Sequence, residues 1–233
     1  MVDCKIYIIE KYNLIIFTKM LDLKLEKILF QKGAEFIGGI DEAGRGPLAG
    51  PVVAACVVLD ANFKMNKEIQ EIKDSKKLSA AKREKLIDVI FESFIEVGIG
   101  ICDHATIDRV NILQATFLAM KKAIGALKQK PDFILLDGKF PIPNISIRQK
   151  AVIGGDNLAL SIAAASIVAK VKRDEIMREL HEKYPRYGFD KHKGYGTKLH
   201  METLQKYGPC PMHRKSFKPV AASILSYKIN KSN

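Results

Sequence analysis

Tryptophan is absent from the 233 residues, cysteine occurs four times and histidine five. Cys4, Cys56, Cys102 and Cys210 stand far apart with no C-x-x-C pair, so neither a zinc site nor a disulfide framework is indicated, and a reducing, cytoplasmic setting fits best. The histidines show no metal-type spacing with a cysteine or with one another on a helix, and none is assigned to a metal. No stretch approaches the ~18 consecutive apolar residues of a membrane span. The opening "MVDCKIYIIEKYNLIIFTKM" breaks its apolar clusters with Lys5, Glu10, Lys11 and Lys19 and offers no small-residue cleavage site, so neither a membrane partner nor a secretory leader is expected. Acidic residues are scarce too: 26 against 38 basic ones, a formal charge of +12.

What is present is enough for a core. Hydrophobic residues make up 47% and charged ones 27%, ordinary for a soluble chain of one domain with an appendage. The positive excess favours a polyanionic partner, because cations that neutralise phosphates release condensed counterions. Charge alone leaves a merely soluble basic protein open.

Residues 1–33 read as an N-terminal extension with a short amphipathic helix, "MLDLKLEKILFQKG", that opens at Met20. Residues 1–19 carry no assigned function, and the chain could start at Met1 or at Met20. The main domain spans 34–233. Phe36–Ile40 and Pro51–Leu59 read as strands joined by a glycine loop, hence a hairpin. Ser79 is placed to cap a helix carrying Leu86, Ile87, Ile90 and Phe94, and "VGIGI" continues as a strand. Leu113, Phe117, Met120, Ile124 and Leu127 mark a second helix that Pro131 stops. "DFILLDG" and "KAVIGGD" are short strands closed by Asp137 and Asp156, and the longest helix runs from about Asn157 to Tyr184 around an alanine-rich centre. The segment Tyr184–Thr197 is irregular, and short helices follow at 198–207 and 219–227. A hairpin followed by alternating strands and helices is an α/β pattern with a sheet of mixed strand direction.

Chemistry concentrates in "GGIDEAGRGPLAGPVV", Gly38–Val53. Gly44, Gly46 and Gly50 superficially suit a dinucleotide loop, but that fingerprint needs a helix next, and Pro51–Val53 begin a strand. The loop reads either as a hairpin turn or as a nest of backbone N–H groups facing a phosphate or sugar hydroxyl, with Arg45 as a charged fork. Asp41 and Glu42 point to opposite faces of a regular strand, which would leave one of them solvated. Recurrence changes the balance, because Asp41, Asp137 and Asp156 each follow an apolar strand-like run. Ligands gather beyond the carboxyl ends of strands in open α/β sheets, so these acids can converge, and clustered carboxylates call for Mg²⁺ or Mn²⁺. Asp156 has the rival reading of a helix N-cap, and Asp174 is a rival fourth acid. On a continuous helix Asp174 would lie about 27 Å from Asp156 at ~1.5 Å per residue, so both cannot serve ions ~4 Å apart. Asp156 is favoured, leaving Asp174 solvated or ion-paired. Lys76 and Lys77 in "DSKKLS" and His192, Lys193 and Tyr195 in "HKGYGT" add a basic and aromatic surface, on which Tyr195 can stack on a sugar or base.

In order along the chain, "GGIDEAGRGPLAGPVVAACVVL", "DSKKLS", "LLDGK", "GGD" with "SIAAASIVAKVKRD", "HKGYGT" and "HRKSF" closely resemble bacterial ribonuclease HII over about residues 36–219. The resemblance implies the ribonuclease H fold, a mixed sheet flanked by helices with a C-terminal helical portion. It implies that Asp41, Glu42, Asp137 and Asp156 are the active-site carboxylates and metal ligands. It further implies that Gly44, Arg45 and Gly46 sense the ribonucleotide, that Tyr195 stacks near the junction sugar and that Lys76 lies near backbone phosphates. One departure is Gly154, where the family often has lysine. The expected activity is cleavage of RNA–DNA hybrids and nicking of duplex DNA 5′ of embedded ribonucleotides, with Mn²⁺ or Mg²⁺, giving 3′-hydroxyl and 5′-phosphate ends. A non-catalytic basic binder and another nuclease on the same fold remain alternatives, and a monomer is the default.

Overall fold

The computed structural model describes residues 7–9, 14–16, 23–74 and 78–232. Two short strands, β1 (Tyr7–Ile9) and β2 (Leu14–Ile16), pair antiparallel with each other, and helix α1 (Lys24–Gln31) follows. The body continues as β3 (Phe36–Ala43), β4 (Val52–Asp60), α2 (Lys67–Gln70), α3 (Ala80–Ser93), β5 (Glu96–Cys102), α4 (His104–Val110), α5 (Ile112–Ala126), β6 (Phe133–Asp137) and β7 (Arg148–Val152). Helices α6 (Leu160–Lys183), α7 (Phe189–His192), α8 (Lys198–Tyr207) and α9 (Lys218–Ser232) complete it.

The main sheet has the order β5-β4-β3-β6-β7. β3, β4 and β5 form an antiparallel meander, whereas β6 runs parallel to β3 and β7 parallel to β6. This is the mixed sheet flanked by helices that the sequence pattern called for. β4, "VVAACVVLD", is apolar almost throughout because both of its faces are covered. Ala55, Val57 and Leu59 pack with α3 and α6, while the alternate residues Ala54, Cys56 and Val58 pack with α5.

Helix α6 lies directly on β3. A Cβ at Gly39 would sit 2.1 Å from the Ser161 carbonyl carbon, so only glycine lets the two backbones approach this closely. Ala163, Ala164, Ala165 and Ala169 keep the helix near the sheet, and Ile162, Ile167 and Val168 fill its flanks at roughly 1.5–3 kcal/mol of burial each. The N-cap residue of α6, Ala159, makes no capping hydrogen bond. Instead Glu26 of α1, wholly buried, accepts from the Ser161 N–H at 2.9 Å and its hydroxyl at 2.8 Å. A carboxylate there satisfies a first-turn amide and meets the positive end of the helix.

Several boundaries differ from the sequence reading. β3 runs on to Ala43, carrying both acids inside the strand. β7 stops at Val152, so Asp156 does not close a strand as expected but sits in a 3₁₀ turn, Gly155–Asn157, entered through Gly154 at φ 65°. Nor does Asp156 cap α6. Helix α4 was not foreseen, although Asp103 caps it by accepting from the Thr106 N–H at 2.7 Å. Asn111, at φ 68°, separates α4 from α5 and caps the latter. α9 extends well past residue 227.

Candidate active site

β3 and β6 run parallel in a register that aligns Ile40 with Leu136, so the next residues, Asp41 and Asp137, emerge side by side at the carboxyl ends of the strands. They open into a cleft of about 370 Å³, which Glu42 also lines. The alternation of the strand therefore does not send one of the acids to bulk solvent: Asp41 is 5% exposed and the Glu42 side chain 11%. Burial, the Glu42 carboxylate and the Asp137 carboxylate hold the Asp41 carboxyl well above its usual range, against a hydrogen bond from Ser166 that pulls it down. Burial also raises Glu42, opposed by Arg45, whose Nη1 donates to Glu42 Oε1 at 3.1 Å. Such coupled acids titrate as a set. Asp156 is buried and is not among the residues that line the cleft. It is linked to the set through its neighbour, because the Gly155 N–H donates to Asp137 Oδ1 at 2.7 Å, while Asp156 Oδ1 accepts from Asn157 Nδ2 at 2.8 Å.

The glycine loop forms one wall of the cleft, with Gly44, Arg45 and Gly46 all contributing. Two buried arginines hold it from behind. Arg214 donates through Nη2 to the Gly44 carbonyl at 2.6 Å and the Pro51 carbonyl at 3.1 Å, through Nη1 to Arg45 at 3.0 Å and through Nε to Gly50 at 3.0 Å. Arg173 donates to the Pro51, Lys193 and Ala49 carbonyls. Burial lowers Arg173 to about 10 and, with Arg173 beside it, Arg214 to about 9, so both stay charged at neutral pH. In a trans peptide the N–H points opposite to the C=O. Anchoring the Gly44 and Arg45 carbonyls on Arg214 therefore turns the Arg45 and Gly46 amides away from it, toward the cleft side. Gly44 has φ 98°, and a Cβ there would meet Arg173 Nε at 2.1 Å, so glycine is required on both counts.

Tyr195 faces this wall. It lines the cleft, is 46% exposed and lies 3.6 Å from where a Gly46 Cβ would be. Lys170 from α6 and Arg83 from α3 also line the cleft and add positive charge to it. A family model described as Ribonuclease HII matches residues 38–220, the span that builds the sheet, the acids and both walls. The chain belongs to the ribonuclease HII family. It is 56% identical over 192 residues to a ribonuclease HII of Caldanaerobacter subterraneus, covering 82% of this chain and 78% of that protein. The ribonuclease H2 of Pyrococcus horikoshii OT3 superposes with a TM-score of 0.68 at 27% identity, covering 84% of this chain and 99% of that one. Bst-RNase HIII in complex with Mn²⁺ shares the fold, with a TM-score of 0.66 at 19% identity, 85% of this chain and 72% of that one. The protein is thus an endoribonuclease of the ribonuclease H type.

A second hollow of about 260 Å³ adjoins the first, sharing Glu42, Arg45 and Asp137 and walled by Phe117, Met120 and Phe140. Among the described residues, no three carboxylate, histidine or cysteine side chains already converge as a ligand set. The donors at hand around Asp41 are oxygens only, and their mutual repulsion is what a hard divalent cation relieves. Asp174, the rival acid, is buried and ion-paired to Lys170 at 2.5 Å and Arg83 at 4.0 Å. Lys76 lies outside the described residues. Cys56, Cys102 and Cys210 are buried free thiols, and Cys4 lies outside the described residues. No helix among the described residues is long and apolar enough to cross a membrane. Sequence reasoning passed over Arg83, Ser166, Lys170, Arg173 and Arg214. The fragments "KVKRD" and "HRKSF" held three of these, but nothing local says that an arginine will be buried against backbone carbonyls.

Proposed function

We propose that the chain hydrolyses the RNA strand of RNA–DNA hybrids and nicks duplex DNA on the 5′ side of an embedded ribonucleotide, leaving 3′-hydroxyl and 5′-phosphate ends. The observation that carries this reading is the union, in one cleft, of Asp41, Glu42 and Asp137 with Gly44–Gly46 and Tyr195. Acids for hydrolysis and groups suited to a sugar line the same cleft of about 370 Å³.

Asp41, Glu42, Asp137 and Asp156 would hold Mn²⁺ or Mg²⁺. Bst-RNase HIII, on the same fold, has been solved with Mn²⁺. Bound there, such ions would supply activation of the attacking water and neutralisation of charge at the leaving 3′ oxygen. The chain does the rest. Gly155 orients Asp137 through its N–H, and Arg45 holds Glu42 over the cleft. The amides of Arg45 and Gly46 and the ring of Tyr195 test the 2′-hydroxyl and its sugar, the group that separates RNA from DNA. Lys170 and Arg83, with Lys76 just ahead of α3, take the backbone phosphates. Residues 34–233 act as the catalytic unit, as a monomer in the cytoplasm.

The test is a duplex DNA carrying one ribonucleotide, incubated with Mn²⁺, Mg²⁺ or EDTA. Nicking 5′ of the ribonucleotide with a divalent ion and none with EDTA is expected. Asp137→Asn should abolish cleavage while leaving duplex affinity within about threefold, a change to which a non-catalytic basic binder would be indifferent. A folded preparation that nicks with neither ion refutes the proposal.

A further inference from the structure

Three buried histidines, His192, His200 and His213, stand directly behind Tyr195, and the reaction uses none of them. Their contacts form a chain. The Cys210 N–H lies 3.0 Å from His213 Nδ1, His213 Nε2 lies 3.0 Å from His200 Nε2, and His200 Nδ1 lies 2.9 Å from the Tyr195 carbonyl. A carbonyl only accepts, so His200 carries its proton on Nδ1. Its Nε2 is then bare and must accept, which puts the proton of His213 on Nε2. His213 Nδ1 is thereby left bare, as the Cys210 N–H requires. The Cys210 carbonyl and Sγ also lie 3.2 Å from that nitrogen. A proton placed on it would point at the Cys210 N–H and leave two bare Nε2 atoms facing each other. One tautomer of each ring fits every strong contact, with both rings neutral.

His192 is locked independently. Its Nε2 donates to the Tyr187 carbonyl at 2.7 Å, its Nδ1 accepts from the Gly194 N–H at 3.1 Å, and its ring stacks on His200 at 4.4 Å. Its own carbonyl accepts from the Tyr195 N–H at 2.9 Å. The main chain of Tyr195 is therefore held at both ends, its carbonyl accepting from the Thr197 N–H at 2.8 Å as well as from His200. The loop is also tied to the glycine wall, since the Leu48 N–H donates to the Gly194 carbonyl at 2.7 Å.

We propose that His200 and His213 are positioning residues for ribonucleotide recognition: a neutral, tautomer-locked relay that fixes the Tyr195 main chain and so aims its ring at the sugar beside Gly46. This rests on the reading of Tyr195 as the sugar contact. The setting keeps the relay neutral, since burial drives His213 to about 3 and His200 to about 4. The other titratable groups around it are His192, Cys210, Tyr187, Asp190 and Lys193, with His104 farther off. None supplies a carboxylate to either ring of the relay.

Two-bond ¹H–¹⁵N spectra of histidine-labelled protein read the relay directly in the native chain, with signals assigned by single His replacements. At neutral pH the expected result is a proton on Nδ1 of His200 and on Nε2 of His213 and His192. A His200 protonated at Nε2, or an imidazolium at any of the three, overturns the relay. Kinetics on the single-ribonucleotide duplex read its purpose. His200→Phe, which keeps the stacked ring but no donor, should lose about tenfold in kcat/KM, and His200→Asn, whose amide can replace the Nδ1–H, should recover to within about threefold. Equal values for the two variants, at matched folded fractions, also overturn it. Tyr195→Ala separates the premise from the proposal. An unchanged kcat/KM there refutes the sugar contact itself, whereas a loss there beside an unaffected His200→Phe refutes the relay alone.

Discussion

Lys170 and Asp174, one turn apart on α6, are joined at 2.5 Å, and the same carboxylate receives Arg83 of α3 at 4.0 Å. An acid that rivals the cluster in sequence therefore serves to aim two cations into the cleft. Removing its charge takes one partner from each cation, with Arg83 keeping its hydrogen bond to the Leu78 carbonyl, while the hydrolytic acids are untouched. Asp174→Asn should raise KM by about five- to tenfold and change kcat by less than about twofold. Steady-state kinetics on the ribonucleotide duplex decide it, and a proportionate fall in kcat would put Asp174 in the chemistry.

Lys170 makes a complementary prediction about salt. If its ammonium meets one phosphate, Lys170→Met should reduce the slope of log affinity against log salt by ~0.9. Anisotropy titrations in an Asp137→Asn background measure it without cleavage. An unchanged slope would remove Lys170 from the phosphate track.

The raised carboxyls of Asp41 and Glu42 make stability depend on pH in a stated direction. Their folded-state pKa values exceed the unfolded ones, so the folded chain binds more protons. Their contribution is fully present below the ordinary carboxylate range and is lost as pH rises through the raised values. In EDTA at about pH 8, Asp41→Asn should therefore melt higher than the parent by a few degrees, at ~2–4 °C per kcal/mol for a chain of this size. The advantage should shrink toward about pH 4, and Mn²⁺ should stabilise the parent more than the variant. A lower Tm for the variant in EDTA contradicts the proposed repulsion.

Arg214→Lys keeps a charge but loses the planar fork that engages the Gly44, Arg45, Gly50 and Pro51 carbonyls. Stranding several of those acceptors should cost about 3 kcal/mol and lower the Tm by about 6–12 °C. Activity per folded molecule should also fall at least about tenfold, because the loop is no longer held against the cleft. Calorimetry with kinetics well below the new Tm separates the two effects. Normal activity of the folded variant would mean that the loop does not need its anchor.

Glu26→Ala removes the carboxylate that satisfies the start of α6 and should cost about 2 kcal/mol or more, measured by denaturant unfolding. Glu26→Gln, which keeps an acceptor, should recover about half of it. A chain starting at Met20 keeps this cap, and one starting at Ala34 does not, so only the second should be destabilised in the same way.

The sheet and the acids were legible because they obey local rules. Alternating and continuous apolar runs marked β3 and β4, and carboxylates at the ends of such runs pointed to Asp41 and Asp137. Asp156 stood out in the sequence for a partly mistaken local reason: three residues separate it from the end of β7, and the α6 cap weighed for it comes from Glu26, 135 residues before Ser161. That cap, the arginine anchors and the histidine relay share one property. Their partners are set by tertiary packing and not by a local pattern: Glu26 and the arginines reach residues up to 170 positions away, and the arginines and histidines meet mainly backbone atoms, which look identical at every position of a one-letter string. Helix α4 escaped for a simpler reason, being only seven residues long and followed at once by α5.

The Arg214–Gly44 contact spans 170 residues, and this has a consequence for the order in which the chain is made. Residues 44–51 leave the ribosome early in the domain, yet the cation that shapes them follows 170 residues after Gly44. Asp156, Arg173 and Tyr195 come late as well. Asp41 and Glu42 are therefore made long before the arginine that anchors the loop beside them. The Gly44–Pro51 loop thus takes its anchored shape only once a residue 170 positions further along the chain has been made.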